Sequence, residues 1–257
     1  MFRLFATLYG SLVYLFFLGV FLYSIGFVGN FAVPKTIDSG ASGPIGSALV
    51  VNLALLALFA VQHSVMARPA FKRWWTRLVP KVIERSTYVF MASLALGLLD
   101  MEWQPLTAPV WSVTDPFGVM VLHGVFGLGW LTVLLSTFLI NHFELFGLRQ
   151  VYAHLVGKEL PAPRFHTPFL YRWVRHPIYL GFLFAFWATP QMTVGHLVFA
   201  MATTGYILIG IYFEERDLIS QFGSRYLQYR ASVGMLLPLI GRRVPLQRGS
   251  RTEGQGL

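Results

Sequence analysis

The chain has 257 residues, of which 55% are hydrophobic and only 12% charged, with a mean hydropathy of +0.59; soluble domains are about one-quarter charged, so this is an integral membrane protein. It contains no cysteine, which excludes disulfides, cysteine nucleophiles, thiolate metal sites and iron–sulfur clusters and leaves the chemistry to His, Tyr, Arg, Asp and Glu. The formal net charge of +9 is gathered at the ends and links of apolar segments, a topology signal in a lipid bilayer and not a nucleic-acid surface.

Apolar stretches able to cross about 30 Å of hydrocarbon at about 1.5 Å per residue are predicted at 4–28, 45–66, 87–101, 117–140 and 192–213, with a shorter one at 177–189. The first has no small-residue cleavage site behind a short core, so it reads as a retained helix and not a signal peptide. The expected fold is all-α: a polytopic membrane bundle of about six transmembrane segments, the short fifth helix forming a hairpin with the sixth through Pro190. Residues 1–240 make one domain, with a cytoplasmic link at 141–176 and a cytoplasmic segment at 214–240; the basic tail 241–257 has the composition of a disordered segment.

Cations set the orientation. Arg68, Lys72, Arg73, Arg77, Lys81 and Arg85 follow the second segment, and Arg149, Lys158, Arg164, Arg172 and Arg175 precede Pro177. The C-terminal part carries Arg216, Arg225, Arg230, Arg242, Arg243, Arg248 and Arg251, while the intervening links hold little beyond Lys35. Alternate links are basic, so the positive-inside rule puts both termini in the cytoplasm of a multi-pass protein of the cell inner membrane. No feature of the sequence addresses oligomeric state.

Four polar stretches lie at the cytoplasmic level. "VQHSVMAR" carries Gln62, His63 and Ser64 at the end of the second segment, and "NHFELFGLRQVY" carries Asn141, His142, Glu144, Arg149 and Gln150 at the exit of the fourth. Polar side chains near membrane depth are candidates for function. In "VRHPIYLG", Pro177 suits the first position of a helix, His176 before it is pushed toward extended backbone, and the helix N-terminus favours an anion beside Arg175. Tyr179 lies just inside that helix, and Gly181 permits close approach by a backbone or a ligand. An interfacial anchor, with a snorkelling Arg and a belt Tyr, is the alternative. In "IYFEERDLISQFGSRYLQYR", Glu214 and Glu215 directly follow an apolar run, at or near a helix C-terminus that disfavours negative charge. They call for a cation, either local (Arg216 or Arg225) or carried by an ammonium or sulfonium ligand. Phe222, Tyr226 and Tyr229 are spaced to share one helical face that packs locally or covers a flat ring.

The histidines show no HxxxH or HExxH spacing, so no metal is expected. His123 and His196 both fall toward the outer leaflet, which keeps a haem-bearing membrane redox protein as an alternative from another class; a non-catalytic transporter or channel is a third. There is no Gly-rich phosphate loop and no GxSxG elbow.

The pairing of "RHPIYLG" with "EERDLISQFGSRYLQYR" and the following Pro238 resembles the isoprenylcysteine carboxyl methyltransferase and phospholipid methyltransferase group of membrane enzymes. "VQHSVMARPAFKRWW", "ERSTYVF", "NHFELFGLRQVY" and "FWATPQMTVGHLVFA" narrow the resemblance to the bacterial methanethiol S-methyltransferases over nearly the whole chain. This resemblance implies S-adenosylmethionine as cofactor, leaving as S-adenosylhomocysteine, with no metal and with Arg175, His176, Tyr179, Gly181, Glu214, Glu215 and Tyr226 as cofactor contacts. It implies a small thiol acceptor, methanethiol becoming dimethyl sulfide by in-line displacement; an isoprenylcysteine carboxylate or an amino-lipid is the alternative within the class. Loss of the thiol proton needs a base or a cationic site. The expected catalytic residues are His142 and His176 as base or water-orienting groups, Arg149 beside the thiolate and Glu144 orienting them, with His63, Asn141 and Gln150 as substrate contacts.

Overall fold

A computed structural model describes residues 1–40, 43–162 and 165–239. The tail predicted at 241–257, and Arg164 in the basic link, lie outside the described residues. Helix α1 runs Phe2–Gly29, α2 Ile45–Ala67, α3 Pro69–Trp75, α4 Lys81–Glu102, α5 Pro116–Ile140, α6 His142–Leu145, α7 Leu148–Leu155, α8 Pro177–Trp187, α9 Val194–Phe222 and α10 Ser224–Ser232. Strands β1 (Pro109–Ser112) and β2 (Gln191–Thr193) pair antiparallel, and a 3-10 turn covers Phe169–Arg172.

Among the described residues α1, α2, α4, α5 and α9 are long and apolar enough to cross a membrane, and α8 is a shorter apolar helix. The chain is a polytopic helical membrane bundle. Leu12, Leu58, Leu131 and Ile209 are exposed on it, as expected where the solvent is hydrocarbon. Its interior is aromatic: Phe27, Trp103, Phe126, Trp130, Phe186 and Phe199 form one buried cluster with Leu99 and Ile37.

Four features differ from the sequence expectation. Helix α4 begins at Lys81, directly behind Pro80, and not at 87, because Lys81, Glu84 and Arg85 interrupt the apolar pattern while remaining good helix formers. Helix α9 continues past residue 213 to Phe222, through residues too polar to register as a membrane segment, and stops at Gly223 with φ +55°. Glu214 and Glu215 therefore stand inside a helix and not at its C-terminus, so the dipole argument does not apply to them. Helix α8 ends at Trp187 and not at 189, a span of about 16 Å. The links at 109–112 and 191–193 form a two-stranded ribbon where only helices and loops were expected.

Two devices set the positions of α8 and α9. Gly129 of α5 and Gly181 of α8 face each other: a Cβ on Gly181 would lie 2.6 Å from the Gly129 carbonyl oxygen, and one on Gly129 2.7 Å from the Ala185 nitrogen. The two backbones touch, so α8 cannot slide away from α5 without leaving a void. At the far end, the Thr193 hydroxyl accepts from the His196 N–H and donates to Asp38, fixing the start of α9.

Candidate functional site

The stretch Val174 to His176 runs beside Gly234 and Met235, which follow α10. Arg175 N–H donates to the Gly234 carbonyl (2.8 Å) and His176 N–H to the Met235 carbonyl (3.2 Å). This bridge holds Arg175 and His176 against α9. The Arg175 Nε donates to Glu215 (2.8 Å), and its Nη1 donates to the carbonyls of Arg230 and Val233. Glu215 also takes the Nε of Arg230 at 3.3 Å and the Nε2 of His176 at 3.2 Å. A carboxylate only accepts, so Nε2 of His176 carries its hydrogen. Glu215 is buried and saturated. Its cations come from sequence-distant Arg175 and from Arg230, not from Arg216 or Arg225.

Glu214 is different. Its side chain is 45% exposed, with His176 Nδ1 at 3.7 Å, and it lies near the Tyr179 hydroxyl. Helix α8 has no side-chain cap at its N-terminus, and the buried hydroxyls of Tyr171 and Tyr226 have no hydrogen-bond partner. Burial, and then nearby Glu215, pushes the Tyr226 phenol well above its ordinary value, so it stays a neutral donor. Tyr226 and Tyr229 pack on Phe165 and Phe222. The expected single face is divided by Gly223, with Phe222 on α9 and both tyrosines on α10.

The remaining expected residues fall into two other clusters. At the end of α5, Asn141 and Arg149 both donate to Glu144 Oε2 (2.7 and 2.6 Å), and Gln150 donates to the Glu144 carbonyl (3.0 Å). Asn141 and Arg149, with Thr7, Ser11 and Tyr152, line a crevice of about 520 Å3 beside α1. Thr137 donates its hydroxyl hydrogen to Leu134 (2.7 Å), so at 2.9 Å its oxygen accepts from His142 Nδ1. His142 Nε2 then accepts from Tyr14 at 2.9 Å. Both ring nitrogens are used in a neutral tautomer, and burial lowers the His142 pKa, so this ring has no free lone pair for a thiol proton. Gly181 is turned to α5 packing.

The third cluster joins His63 and Ser64 to two tyrosines that the motif reading passed over. His63 Nε2 lies 2.9 Å from the Tyr88 hydroxyl, and Ser64 lies 3.2 Å from the Tyr206 hydroxyl. Tyr88, Tyr206 and Tyr179 are close enough to interact electrostatically, so this cluster adjoins Glu214 through Tyr179. Polar residues at one level on three different helices were the available signal. His123 is exposed, whereas His196 is fully buried with Nε2 on the Phe186 carbonyl (2.9 Å); the two do not form a paired site.

A methanethiol S-methyltransferase of Mycobacterium tuberculosis is 58% identical over 236 residues, covering 92% of this chain and 97% of that protein. Methanethiol S-methyltransferase 1 of Bradyrhizobium diazoefficiens is 58% identical over 237 residues, 92% of this chain and 83% of that protein. Nurim of Bos taurus is 33% identical over 207 residues, 76% of this chain and 74% of that protein. No family model and no solved structure matches the chain.

Proposed function

Because the chain belongs to the methanethiol S-methyltransferase family, we propose that it methylates methanethiol to dimethyl sulfide with S-adenosylmethionine as donor, S-adenosylhomocysteine leaving. The observation that carries the cofactor assignment is the unequal carboxylate pair: Glu215 is closed by Arg175, Arg230 and His176, while Glu214 stays half-exposed. Such a half-exposed carboxylate suits a cationic group.

The donor groups fit this corner. Glu214 and Tyr179 would hold its cation, and the uncapped N-terminus of α8 its carboxylate. The buried, unpartnered hydroxyls of Tyr171 and Tyr226 are available to the nucleoside end. Bound there, S-adenosylmethionine supplies an electrophilic methyl group on a sulfonium. Arg175 acts as a clamp in this reading: its Nε and Nη1 are engaged within the protein, so it positions His176 and Glu215. Gly181 acts through the α5–α8 contact. The chain's work is alignment and proton removal, while Asn141 and Arg149 line a separate crevice beside α1.

The acceptor is a small thiol that also partitions into the bilayer, and the site opens to the cytoplasm of the cell inner membrane, both termini on that side, in accord with the basic links. The test is ligand stabilisation of the detergent-solubilised protein. S-adenosylmethionine at one hundred times its Kd adds about 2.7 kcal/mol and raises the unfolding midpoint. No shift at saturating concentration contradicts the cofactor assignment.

A further inference from the structure

The His63 ring has a buried Nδ1 with no hydrogen-bond partner. A buried polar atom left unsatisfied costs about 1–3 kcal/mol, and in a native protein such an atom calls for a reason. Its surroundings supply one. Phe59, one turn back on α2, stacks on the ring at 5.3 Å and meets Tyr206 edge-on at 6.3 Å. Tyr88 of α4 bonds Nε2, and Tyr179 lies near Glu214, Tyr88 and Tyr206. Phe59, His63, Tyr88, Tyr179 and Tyr206 thus bring four helices to one aromatic enclosure beside the half-exposed carboxylate. Arg85 stands over the Tyr88 ring at 5.2 Å and donates to the Leu145 carbonyl, lending positive potential of the kind an ionised sulfur needs.

We infer that His63 is the catalytic base for the acceptor, taking the thiol proton on Nδ1, and that Tyr88 is the positioning residue that fixes its tautomer. The inference rests on the methyltransferase reading above and moves the base from His142 and His176, whose nitrogens face Tyr14, Thr137, Glu214 and Glu215. With its hydrogen on Nε2, His63 donates to the Tyr88 oxygen and leaves the Nδ1 lone pair bare. The S–H bond of the thiol breaks, an N–H bond forms at Nδ1, and the electron pair stays on sulfur. The thiolate is then the nucleophile, and the proton leaves from the imidazolium to water at the cytoplasmic side. Tyr88 and Arg85 from α4 face His63, and Tyr88 is in turn approached by Glu84, by Tyr206 of α9, by Tyr179 of α8 and by Arg68, which follows α2. An enclosure of aromatic rings would admit a small acceptor more readily than a prenyl or acyl chain.

The test uses the full chain in detergent. His63→Asn should lower kcat/KM for methanethiol at neutral pH by about 100-fold or more, the range of general-base catalysis, and leave stabilisation by S-adenosylmethionine unchanged. The loss should shrink as pH rises and be small for trifluoroethanethiol, which ionises more readily. Tyr88→Phe should cost a smaller factor, roughly ten, and displace the pH profile. Without any methyl donor, the 19F signal of trifluoroethanethiol bound to wild-type protein should report the ionised thiol below the pH at which it ionises free in solution. Wild-type kcat/KM and pH profile in His63→Asn, or a 19F signal that titrates as in solution, overturns the assignment. If the wild type is active and His63→Asn equally so, only the assignment falls; if the wild type methylates no thiol, the reading of the site falls with it.

Discussion

Glu214 and Glu215 are adjacent in sequence and opposite in circumstance. Glu215 shares a buried ion pair with Arg175, each side chain about 10% exposed, and removing one partner of such a pair leaves an uncompensated charge worth about 3–5 kcal/mol. Glu215→Gln should therefore appear first as a loss of thermal stability. Glu214 is 45% exposed, so Glu214→Gln should leave the unfolding midpoint nearly unchanged and weaken S-adenosylmethionine about tenfold, the equivalent of about 1.4 kcal/mol; equilibrium binding measurements separate the two variants. His142 gives a pH prediction. Burial holds its pKa below the ordinary 6.5, so the folded state favours the neutral ring. The stability it contributes is present above that ordinary value and is lost as pH falls toward the depressed folded one. Unfolding midpoints recorded from neutral to mildly acidic pH should fall more steeply for the wild type than for His142→Gln.

At the scale of elements, the contact between α5 and α8 is the part least able to yield. Gly181→Ala places a methyl 2.6 Å from the Gly129 oxygen and 2.9 Å from the Val133 nitrogen, and both neighbours are backbone. The helices must separate, an overpacking cost of about 1–3 kcal/mol, and the N-terminus of α8 moves with them. Turnover should fall by more than the stability loss explains, which rate measurements at a temperature well below unfolding will detect. The elements were unevenly legible in the sequence. Helices α1, α2 and α5 were readable because hydropathy reports burial in lipid. The last turns of α9 were not, because Glu214 to Phe222 leave the apolar zone while remaining good helix formers, and hydropathy does not measure helicity. The β1–β2 ribbon is too short for an alternating pattern, and only the approach of two distant links creates it.

Across the whole molecule, the same distinction separates what the motifs disclosed from what they could not. Arg175, His176 and the glutamates were legible as two chemically complementary stretches, and the hairpin from α8 to α9 joins them. Arg230 and the carbonyls of Val233 and Gly234 complete that corner from α10 onward, and no local spacing announces such partners. His63 was legible as a polar residue at the cytoplasmic level, but its relation to Tyr88 and Tyr206 needed the packing of α2, α4 and α9. Topology can be tested without a cysteine-free background having to be made, because the chain has no cysteine. In intact cells an impermeant maleimide should label Ser112→Cys on the β1–β2 ribbon and spare Lys158→Cys, and inverted vesicles should reverse the pattern.

The most direct measurement supplies purified wild-type protein with S-adenosylmethionine and methanethiol and analyses the headspace. Dimethyl sulfide should accumulate with S-adenosylhomocysteine in equal amounts, and Glu214→Gln should require a higher donor concentration for the same rate. Failure of the folded wild-type protein to form dimethyl sulfide while binding the donor would contradict the assignment of methanethiol as acceptor.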